Sequence, residues 1–297
     1  KYSKGSMTIE TRMCIMDLTE KLKEMSAHLS HLENGTKKNQ TPRSLECPEC
    51  GDSGWRWIRD ASGIPYCEEC PCGIRKRTIL ENQLKFAELP NVFKGSNFND
   101  LKSSVYLNAE SRKVFSQAAQ AVNYWFKNLP DMQKKGIGLY LFSNTKGSGK
   151  TKTVCSLANE IMKKYQKPVK FTTSLRILDE IKNTWVDKGN TEGKLIEDLS
   201  RTEILIIDDF GADSGKEWIN ERFYSIINGR YVDRKITIFT SNCQISELKY
   251  DERITNRILE RSLEIPFPEE SVREHIAQHL KIKMVQGMRG KEIGNNC

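Results

Sequence analysis

The chain has 297 residues, 37% of them hydrophobic and 29% charged, and it carries a formal net charge of +8. This length predicts one medium domain plus a smaller one, and the modest hydrophobic fraction predicts long exposed segments. No apolar run approaches the length of a membrane-spanning helix, which excludes a protein built around such helices. The basic excess fits a protein that handles nucleic acid or nucleotides.

The cysteines are unevenly distributed along the chain. Five of the nine fall within residues 47–72, and the other four are scattered singly. Clustering at short spacing is typical of a metal site, whereas secreted proteins pair their cysteines in disulfides. We therefore expect a reducing, cytoplasmic location and no membrane partner.

The amino-terminal segment, residues 1–44, is predicted to contain an amphipathic helix. Residues 1–6 precede Met7 and resemble a tag remnant. From Ile15 to Leu32 the apolar residues are spaced alternately by three and four, which is typical of a heptad stripe. The stripe either packs on its own chain or docks a partner helix, and the polar linker over 36–44 favours the partner.

Residues 45–80 are predicted to form a small zinc-binding module. Two Cys-x-x-Cys pairs are separated by sixteen residues, an arrangement that supplies four thiolates to one tetrahedral zinc ion. Five candidates compete for the four positions: Cys47, Cys50, Cys67, Cys70 and Cys72. Cys67 with Cys70 makes the better second pair, and Cys72 is a credible substitute. Such a module has almost no core, so we expect the metal to supply much of its folding free energy.

Aromatic and basic side chains alternate between the two cysteine pairs, in Trp55-Arg56-Trp57-Ile58-Arg59. This pattern either stacks on single-stranded nucleic acid or forms the two faces of a ribbon strand, which we favour. The basic run over 75–85 is interpreted as a solvated helix face. Residues 81–100 are predicted to be a linker, followed by a larger domain over 101–285 and a tail over 286–297.

A phosphate-binding loop is predicted at residues 144–151. A strand over 137–142 leads into it and a helix over 151–165 leaves it, which is the setting of a P-loop. Gly147 and Gly149 allow backbone N–H groups to turn onto phosphate oxygens. Lys150 would reach the β- and γ-phosphates, and the Thr151 hydroxyl would bind Mg²⁺. The candidate residues for binding ATP or ADP are Asn144, Thr145, Lys146, Gly147, Ser148, Gly149, Lys150 and Thr151.

One position departs from the P-loop pattern, because Asn144 stands where the first glycine belongs. Asn tolerates the left-handed backbone region better than most residues, so we expect the turn to form. The alternative interpretation is a surface loop before an ordinary helix, which the strand–loop–helix context disfavours.

Two acidic residues follow a second buried strand, over 204–207. Asp208 is placed to hold the Mg²⁺ shell and Asp209 to orient the attacking water, because these acids emerge at the carboxyl edge of the sheet. A strand that ends in a helix-capping Asp is the alternative, which the P-loop makes weak. A further strand over 236–240 ends in Ser241-Asn242.

Strands and helices alternate through the rest of the larger domain. Helices are predicted over 109–126 and 175–185, strands over 168–172 and 263–267, and residues 253–257 are placed on a helix. This order, with phosphate chemistry at strand ends, predicts an α/β fold whose parallel sheet is flanked by helices.

These residues resemble an AAA+ ATPase, and more closely the bacterial DnaC/DnaI type of replicative-helicase loader. The resemblance covers nearly the whole chain after residue 45, and it is most specific over 206–211, 240–242 and 253–257. The cysteine module joined to Asn97-Phe98 adds to it. The resemblance implies an AAA+ P-loop domain that is preceded by a zinc-binding module and an N-terminal helix.

The resemblance also implies roles for individual residues. Asn242 matches the sensor-1 polar residue that contacts the γ-phosphate or its water, and Arg273 matches sensor 2. Arg257 matches the arginine finger offered to a neighbouring subunit's nucleotide, with Arg253 in the same box. Asp209 stands where many AAA+ enzymes carry Glu, one methylene longer, so we expect slow hydrolysis that a partner or DNA stimulates. The predicted catalytic residues are Lys150, Asp209, Asn242 and Arg257, with Asp208, Arg253 and Arg273 at the nucleotide and Thr151 and Asp208 at the metal.

In this family, a zinc-containing amino-terminal region binds the hexameric helicase, and the ATPase domain helps to place it on single-stranded DNA. We therefore expect a bacterial or phage loader that uses ATP/ADP, Mg²⁺ and Zn²⁺ and self-assembles through its ATPase domain. One alternative is an IstB-like transposition ATPase, which binds duplex DNA. The other is a nucleotide-gated adaptor with negligible hydrolysis, which Asn144 and Asp209 support.

Overall fold

The computed structural model describes residues 45–185, 192–212, 216–278 and 280–282. The chain divides into two compact units after Cys72. The predicted heptad helix with its linker, residues 1–44, and the predicted tail lie outside the described residues. The predicted end of the cysteine module, at residue 80, falls within a helix of the second unit, Ile74–Ala87.

In the first unit, two short strands form an antiparallel hairpin, β1 (Trp55–Arg59) and β2 (Pro65–Glu69). The turn between them closes on Asp60. Its carboxylate accepts hydrogen bonds from the backbone N–H groups of Ser62 at 2.8 Å and Ile64 at 2.9 Å. The prediction of a ribbon strand between the cysteine pairs is therefore confirmed.

The second unit alternates helices and strands along the chain. Its helices are α1 (Ile74–Ala87), α2 (Ala109–Lys127), α3 (Leu129–Lys135), α4 (Lys150–Tyr165), α5 (Ser174–Thr184), α6 (Glu192–Arg201), α7 (Glu217–Val232) and α8 (Glu252–Arg261). Its strands are β3 (Gly138–Phe142), β4 (Val169–Thr173), β5 (Ile204–Phe210), β6 (Ile236–Ser241) and β7 (Ser262–Pro266). Residues 272–278 are also helical.

The five strands of the second unit form one parallel sheet in the order β4-β5-β6-β3-β7. Their middle residues are apolar because helices cover both faces of the sheet. The buried side chains of α2 and α4 form one cluster with the sheet, and those of α5, α6, α7 and α8 form another. The predicted α/β fold, with a parallel sheet flanked by helices, is confirmed.

Within the described residues, helices α3, α6 and α7 have no counterpart among the predicted elements. Helix α7 contains Gly229 and several β-branched and aromatic residues, whose intrinsic helix propensity is low. It forms because Ile219, Phe223 and Ile226 are buried against the sheet. Burial, and not propensity, therefore decides this helix.

Helix α1 packs into the second unit, along with part of the predicted linker over 81–100. Leu80 and Leu84 pack against the same cluster as α2 and α4, and Ala87 and Leu89 belong to its buried core. The basic residues of this run occupy the solvated face of the helix, as predicted. Their apolar neighbours attach that helix to the second unit.

Arg230 is a fully buried cation that forms no salt bridge with a carboxylate among the residues that the structure describes. Its Nη1 donates to the carbonyls of Leu199 and Thr202, both at 2.7 Å, and its Nη2 donates to the carbonyl of Ile236 at 2.5 Å. Its Nε donates to Thr237 Oγ1 at 2.9 Å. Burial lowers the pKa of Arg230 to about 9. The guanidinium is stabilised by the carbonyls at the end of α6, where the helix dipole is negative.

We expect Arg230→Met to lower the free energy of unfolding by roughly 3 kcal/mol or more, because several buried carbonyls lose their donor and each costs about 1–3 kcal/mol. Chemical denaturation of the nucleotide-free protein measures this. Arg201→Met is the matched control, since Arg201 lies on the exposed surface of α6 and forms a salt bridge with Glu197 across one helical turn. Equal stability of the two variants would contradict the assigned role of Arg230.

Candidate functional site

A glycine-rich loop, residues 143–149, joins β3 to α4. Gly147 and Gly149 have φ angles of 81° and 97°, in the left-handed region that favours glycine. A Cβ on Gly147 would lie 2.9 Å from Ser271 Oγ, and a Cβ on Gly149 would lie 3.0 Å from Tyr106 Oη. Both positions therefore require glycine for conformation and for space. Helix α4 begins at Lys150, so its N-terminal dipole lies at this loop and favours phosphate there.

The structure gives Asn144 a different conformation from the one we expected. Asn144 does not adopt the left-handed backbone, so that explanation for an Asn at the first glycine position is wrong. Its N–H instead donates to Glu269 Oε1 at 2.9 Å, and Thr145 donates to Glu269 Oε2 through its N–H and its hydroxyl, both at 2.8 Å. Glu269 thus holds the entrance of the loop, and neither Asn144 nor Thr145 lines the cavity described below.

Lys150 is buried inside the loop. Its Nζ donates to the carbonyls of Ser143 and Thr145, both at 3.3 Å, and to Ser148 Oγ at 3.2 Å. Burial lowers the pKa of Lys150, and nearby carboxylates, of which Asp209 contributes most, partly oppose that shift. The ammonium group is therefore held at the centre of the loop by weak, exchangeable acceptors.

Thr151 and Asp208 form a compact set of oxygen ligands beside Lys150. The Thr151 hydroxyl donates to Asp208 Oδ1 at 2.9 Å and to Oδ2 at 3.2 Å. Burial raises the pKa of Asp208, while hydrogen bonds from Thr240 and Thr151 oppose that shift. A carboxylate and a hydroxyl at a phosphate loop suit Mg²⁺, a hard cation that takes oxygen ligands and substrate phosphates together.

Asp209 follows Asp208 in a strained backbone conformation. Its φ is 52°, which is uncommon for any residue with a side chain, although Asp and Asn are enriched there. Backbone strain of this kind concentrates at functional sites. The side chain of Asp209 is exposed and lines the same cavity as Asn242.

These residues surround one cavity of about 400 Å³ at the carboxyl edge of the sheet. A volume of this order is within the range of small-molecule sites. Its polar lining combines the glycine-rich loop with both acids, and Phe93, Val272 and Ile276 add an apolar side. The donor set and the shape fit a nucleotide with its metal ion.

Of the predicted site residues, the structure brings most of the set to this cavity. The lining includes Lys146, Gly147, Ser148, Gly149, Lys150, Thr151, Asp208, Asp209, Asn242 and Arg273. Arg253 and Arg257 do not line it. Their predicted roles, like those of the other site residues, stay predictions.

Arg257 lies on α8, packed against α7. Its Nε donates to Asn228 Oδ1 at 3.0 Å, its Nη2 to Tyr224 Oη at 3.3 Å, and its Nη1 to the carbonyl of Arg253 at 2.7 Å. Arg253 forms a salt bridge with Asp251 at 3.0 Å and lies over the ring of Tyr224. The surface pairing of Arg257 with Glu260 or Glu252, which is the simplest alternative role, is not the arrangement observed.

Some residues that support the site lie far from its motifs in the sequence, and no motif identifies them. Tyr106 Oη donates to the carbonyl of Ser148 at 2.7 Å behind the loop, and burial raises the pKa of Tyr106, which keeps its donor proton. Glu269 accepts hydrogen bonds from the N–H groups of the loop entrance, and Thr240 donates to Asp208. The signal for all three is long-range contact, which no local spacing records.

Four cysteines of the first unit come together. The Sγ atoms of Cys47, Cys50, Cys70 and Cys72 all lie within 4.8 Å of one another. The Sγ atoms of Cys47 and Cys70 are 3.7 Å apart, and those of Cys50 and Cys72 are 3.8 Å apart. Zn–S bonds of about 2.3 Å in a tetrahedron place sulfurs at about this separation. The cluster therefore fits a metal ion such as zinc.

Cys67 is not part of this cluster, so our preference for Cys67 with Cys70 as the second pair is wrong. The reason is the hairpin register. Cys67 lies inside β2, opposite Trp57, and is exposed, whereas Cys70 and Cys72 lie beyond the end of the strand where the chain can turn back. Cys72, the substitute, takes the position.

The comparison with protein families decides the identity of the fold. The family model of the bacterial DnaA ATPase domain matches residues 106–265, more than half of the chain. The chain belongs to this family. Membership supports ATPase activity, with a nucleotide and Mg²⁺ as cofactors, and makes the second unit an AAA+ domain.

Similar proteins include a protein of a phage-like element and bacterial replicative helicase loaders. The chain is 25% identical over 221 residues to the phage-like element PBSX protein XkdC of Bacillus subtilis (strain 168), covering 72% of this chain and 79% of XkdC. It is 27% identical over 143 residues to the replicative helicase loader DnaC of Escherichia coli (strain K12), covering 47% of this chain and 58% of DnaC.

A solved structure of DnaI shares the fold, with 22% identity, a TM-score of 0.50, and coverage of 60% of this chain and 94% of that one. The resemblance of this DnaA-family ATPase domain to the DnaC/DnaI type is confirmed. The chain spans little more than half the length of DnaC. In the parts of the chain that the structure describes, no helix has the length and apolar character needed to cross a membrane.

The raised pKa of Asp208 predicts how the nucleotide-free, metal-free protein responds to pH. An acid whose folded pKa is raised binds more protons when folded, so its charge costs stability above that pKa. We expect Asp208→Asn to raise the melting temperature at pH 7, and the gain to vanish as the pH falls below the ordinary Asp value of about 4. Thermal unfolding at several pH values measures this, and a gain that is independent of pH would contradict it.

The cluster of four cysteines predicts opposite effects on zinc binding for substitutions of Cys72 and Cys67. Cys72→Ser should release the bound zinc and make residues 45–72 sensitive to protease, because the tetrahedron loses one sulfur. Cys67→Ser is the matched control and should keep one zinc per chain. Metal analysis of the purified variants measures both, and zinc that survives the Cys72 change but not the Cys67 change would refute the assignment.

Proposed function

We propose that the chain is an ATP-dependent loader that binds a hexameric replicative helicase and helps to place it on single-stranded DNA. The observation that carries this proposal is the convergence of Lys150, Thr151, Asp208 and Asn242 on one cavity in a DnaA-family domain. Similarity to proteins named replicative helicase loaders supports the choice of helicase as the partner.

Each residue around the cavity has a separate part in the proposed hydrolysis. Lys150 and the loop N–H groups bind the β- and γ-phosphates, and Thr151 and Asp208 hold Mg²⁺, which neutralises phosphate charge. Asp209 orients the attacking water, and Asn242 contacts that water or the γ-phosphate. Catalysis then comes from positioning and electrostatic stabilisation, without a covalent intermediate.

Slow hydrolysis follows from the choice of Asp at position 209. The backbone φ of 52° there is better tolerated by Asp than by the longer Glu. The shorter side chain leaves the carboxylate further from the water, so a second component is needed to bring the two together. We infer that the helicase or single-stranded DNA provides this stimulation.

The site is completed, in this proposal, by a second copy of the chain. Arg257 and Arg253 lie on α8 and do not line the cavity of their own chain. The ring of Tyr224 and the amide of Asn228 hold the Arg257 guanidinium in one orientation on the surface of α7 and α8. An arginine held in this way is available to a neighbouring subunit's γ-phosphate, as an arginine finger requires.

The first unit is proposed to contact protein and not DNA. Residues 45–72 contain six acidic residues and two arginines, a net charge of −4 in a chain of net charge +8. Four thiolates around Zn²⁺ would add two further negative charges. Exposed Trp57, Ile64 and Tyr66 therefore lie in a negative field that repels phosphates. This charge favours the helicase as the partner of the hairpin over single-stranded nucleic acid.

Turnover and loading test the proposal together. With the host helicase and single-stranded DNA, the full chain should hydrolyse ATP faster than alone and should increase the helicase retained on DNA. Lys150→Ala should abolish ATP binding, because the charge facing the phosphates disappears. Asp209→Asn, which the left-handed backbone tolerates equally, should keep ATP binding and lose about 10²-fold or more in turnover.

Mixing two variants tests whether a second copy of the chain completes the site. Arg257→Ala should bind ATP and lose on the order of 10³-fold in turnover, and Lys150→Ala, which still carries the finger, should restore part of it. No rescue, with turnover of Arg257→Ala near that of the unmodified chain, would refute the shared site. Helicase binding and loading without measurable ATP turnover, in the unmodified chain as in the variants, would instead support the nucleotide-gated adaptor.

A further inference from the structure

Two acids of β5 lie opposite a single residue of β6. Ile207 pairs with Phe239 and Phe210 pairs with Ser241, so Asp208 and Asp209 together face Thr240. This is a bulge, in which one strand carries an extra residue and its ladder hydrogen bonds are interrupted. The backbone groups at the bulge therefore need partners other than the facing strand.

The side chain of Thr240 supplies one of those partners, and the Ser174 hydroxyl, which donates to the carbonyl of Asp209 at 2.8 Å, supplies another. The Thr240 hydroxyl donates to Asp208 Oδ1 at 2.5 Å and accepts the backbone N–H of Asp209 at 3.0 Å. One hydroxyl thus contacts the carboxylate of the first acid and the main chain of the second. Thr240 has 0% exposure, so water cannot replace either contact.

We propose that Thr240 is a positioning residue for the ATPase site, which orients Asp208 toward the metal and holds Asp209 in the strained conformation that faces the attacking water. This inference rests on the proposed ATP hydrolysis. The proposed role belongs to the hydroxyl of Thr240. Thr240→Val tests it, because Val has nearly the same shape as Thr and fits the same buried space. Ser keeps the hydroxyl and loses only a methyl group.

The predicted consequences separate metal binding from turnover. Without the hydroxyl, Asp208 loses one of its two hydroxyl donors and keeps only Thr151, the other proposed metal ligand. Groups that orient a metal ligand in this way usually contribute about 10–100-fold to metal affinity or activity. The N–H of Asp209 also loses its acceptor, so the bulge relaxes and the second carboxylate moves. We expect Thr240→Val to lose about 10–100-fold in turnover and most of the gain in ATP affinity that Mg²⁺ confers. Its ATP affinity in EDTA should not change.

Two other variants distinguish loss of the Thr240 hydroxyl from a general loss of stability. Thr240→Ser should recover most of the turnover and of the Mg²⁺ effect. Thr237→Val changes the same strand but removes the hydroxyl that accepts from Arg230, so it should lower the melting temperature and leave both readouts unchanged. Titration of ATP with and without Mg²⁺, together with turnover and melting curves, distinguishes these cases.

If Thr240→Val is too unstable to purify, Asp209→Gly provides a relaxed background, because Gly accepts a φ of 52° without strain. Adding Thr240→Val to that background should still remove the Mg²⁺ effect. An unchanged Mg²⁺ effect in either comparison, or a Ser variant as defective as Val, overturns the proposal. Absence of turnover in the unmodified chain would contradict the ATPase function, and the Mg²⁺ titration would still decide the role of Thr240.

Discussion

The phosphate-binding loop depends on the segment that follows β7, which holds it from outside. Phe267 donates its N–H to the carbonyl of Phe142 at 2.7 Å, and the Ser143 hydroxyl donates to the carbonyl of Pro268 at 3.0 Å. Val272 donates its N–H to the carbonyl of Gly147 at 3.0 Å, and the Glu269 carboxylate accepts hydrogen bonds from Asn144 and Thr145 at the entrance of the loop. The loop therefore has its shape before a phosphate enters, which is the preorganisation that electrostatic catalysis requires. The same segment leads directly into the helical residues that carry Arg273.

Motif reasoning recovers the residues whose chemistry depends on local spacing. Lys150 and Thr151 follow a glycine-rich turn, and Asp208 ends a buried strand, so both sets could be placed at the carboxyl edge of a parallel sheet. The contacts of Glu269 and Thr240 are different in kind. Thr145 and Glu269 are separated by 124 positions in the chain, and only the folded topology brings them together.

The cysteine cluster shows the same limit at short range. Cys-x-x-Cys spacing favours Cys67 with Cys70, yet Cys67 lies within a strand whose pairing sets its direction. The spacing of the cysteines shows which pairs could bind one metal ion, and the register of the hairpin decides which of them lie outside the strand. The sequence did not predict helix α7, because its residues have low helix propensity and their burial against the sheet outweighs that propensity. Both errors concern tertiary contacts that a single sequence does not contain.

The bulge in β5 separates the packing of the strand from the placement of its second acid. Side chains alternate between the two core clusters along the strand, with Ile204 and Ile206 in one and Leu205 and Ile207 in the other. Phe210 rejoins the second cluster, in the place that the residue after Asp208 would occupy in an unbroken strand. Asp209 is thus an extra residue in the strand that the core packing does not need. Deletion of Asp209 would leave a regular strand, an intact core and the carboxylate of Asp208, and under the proposed roles it would separate nucleotide binding from hydrolysis.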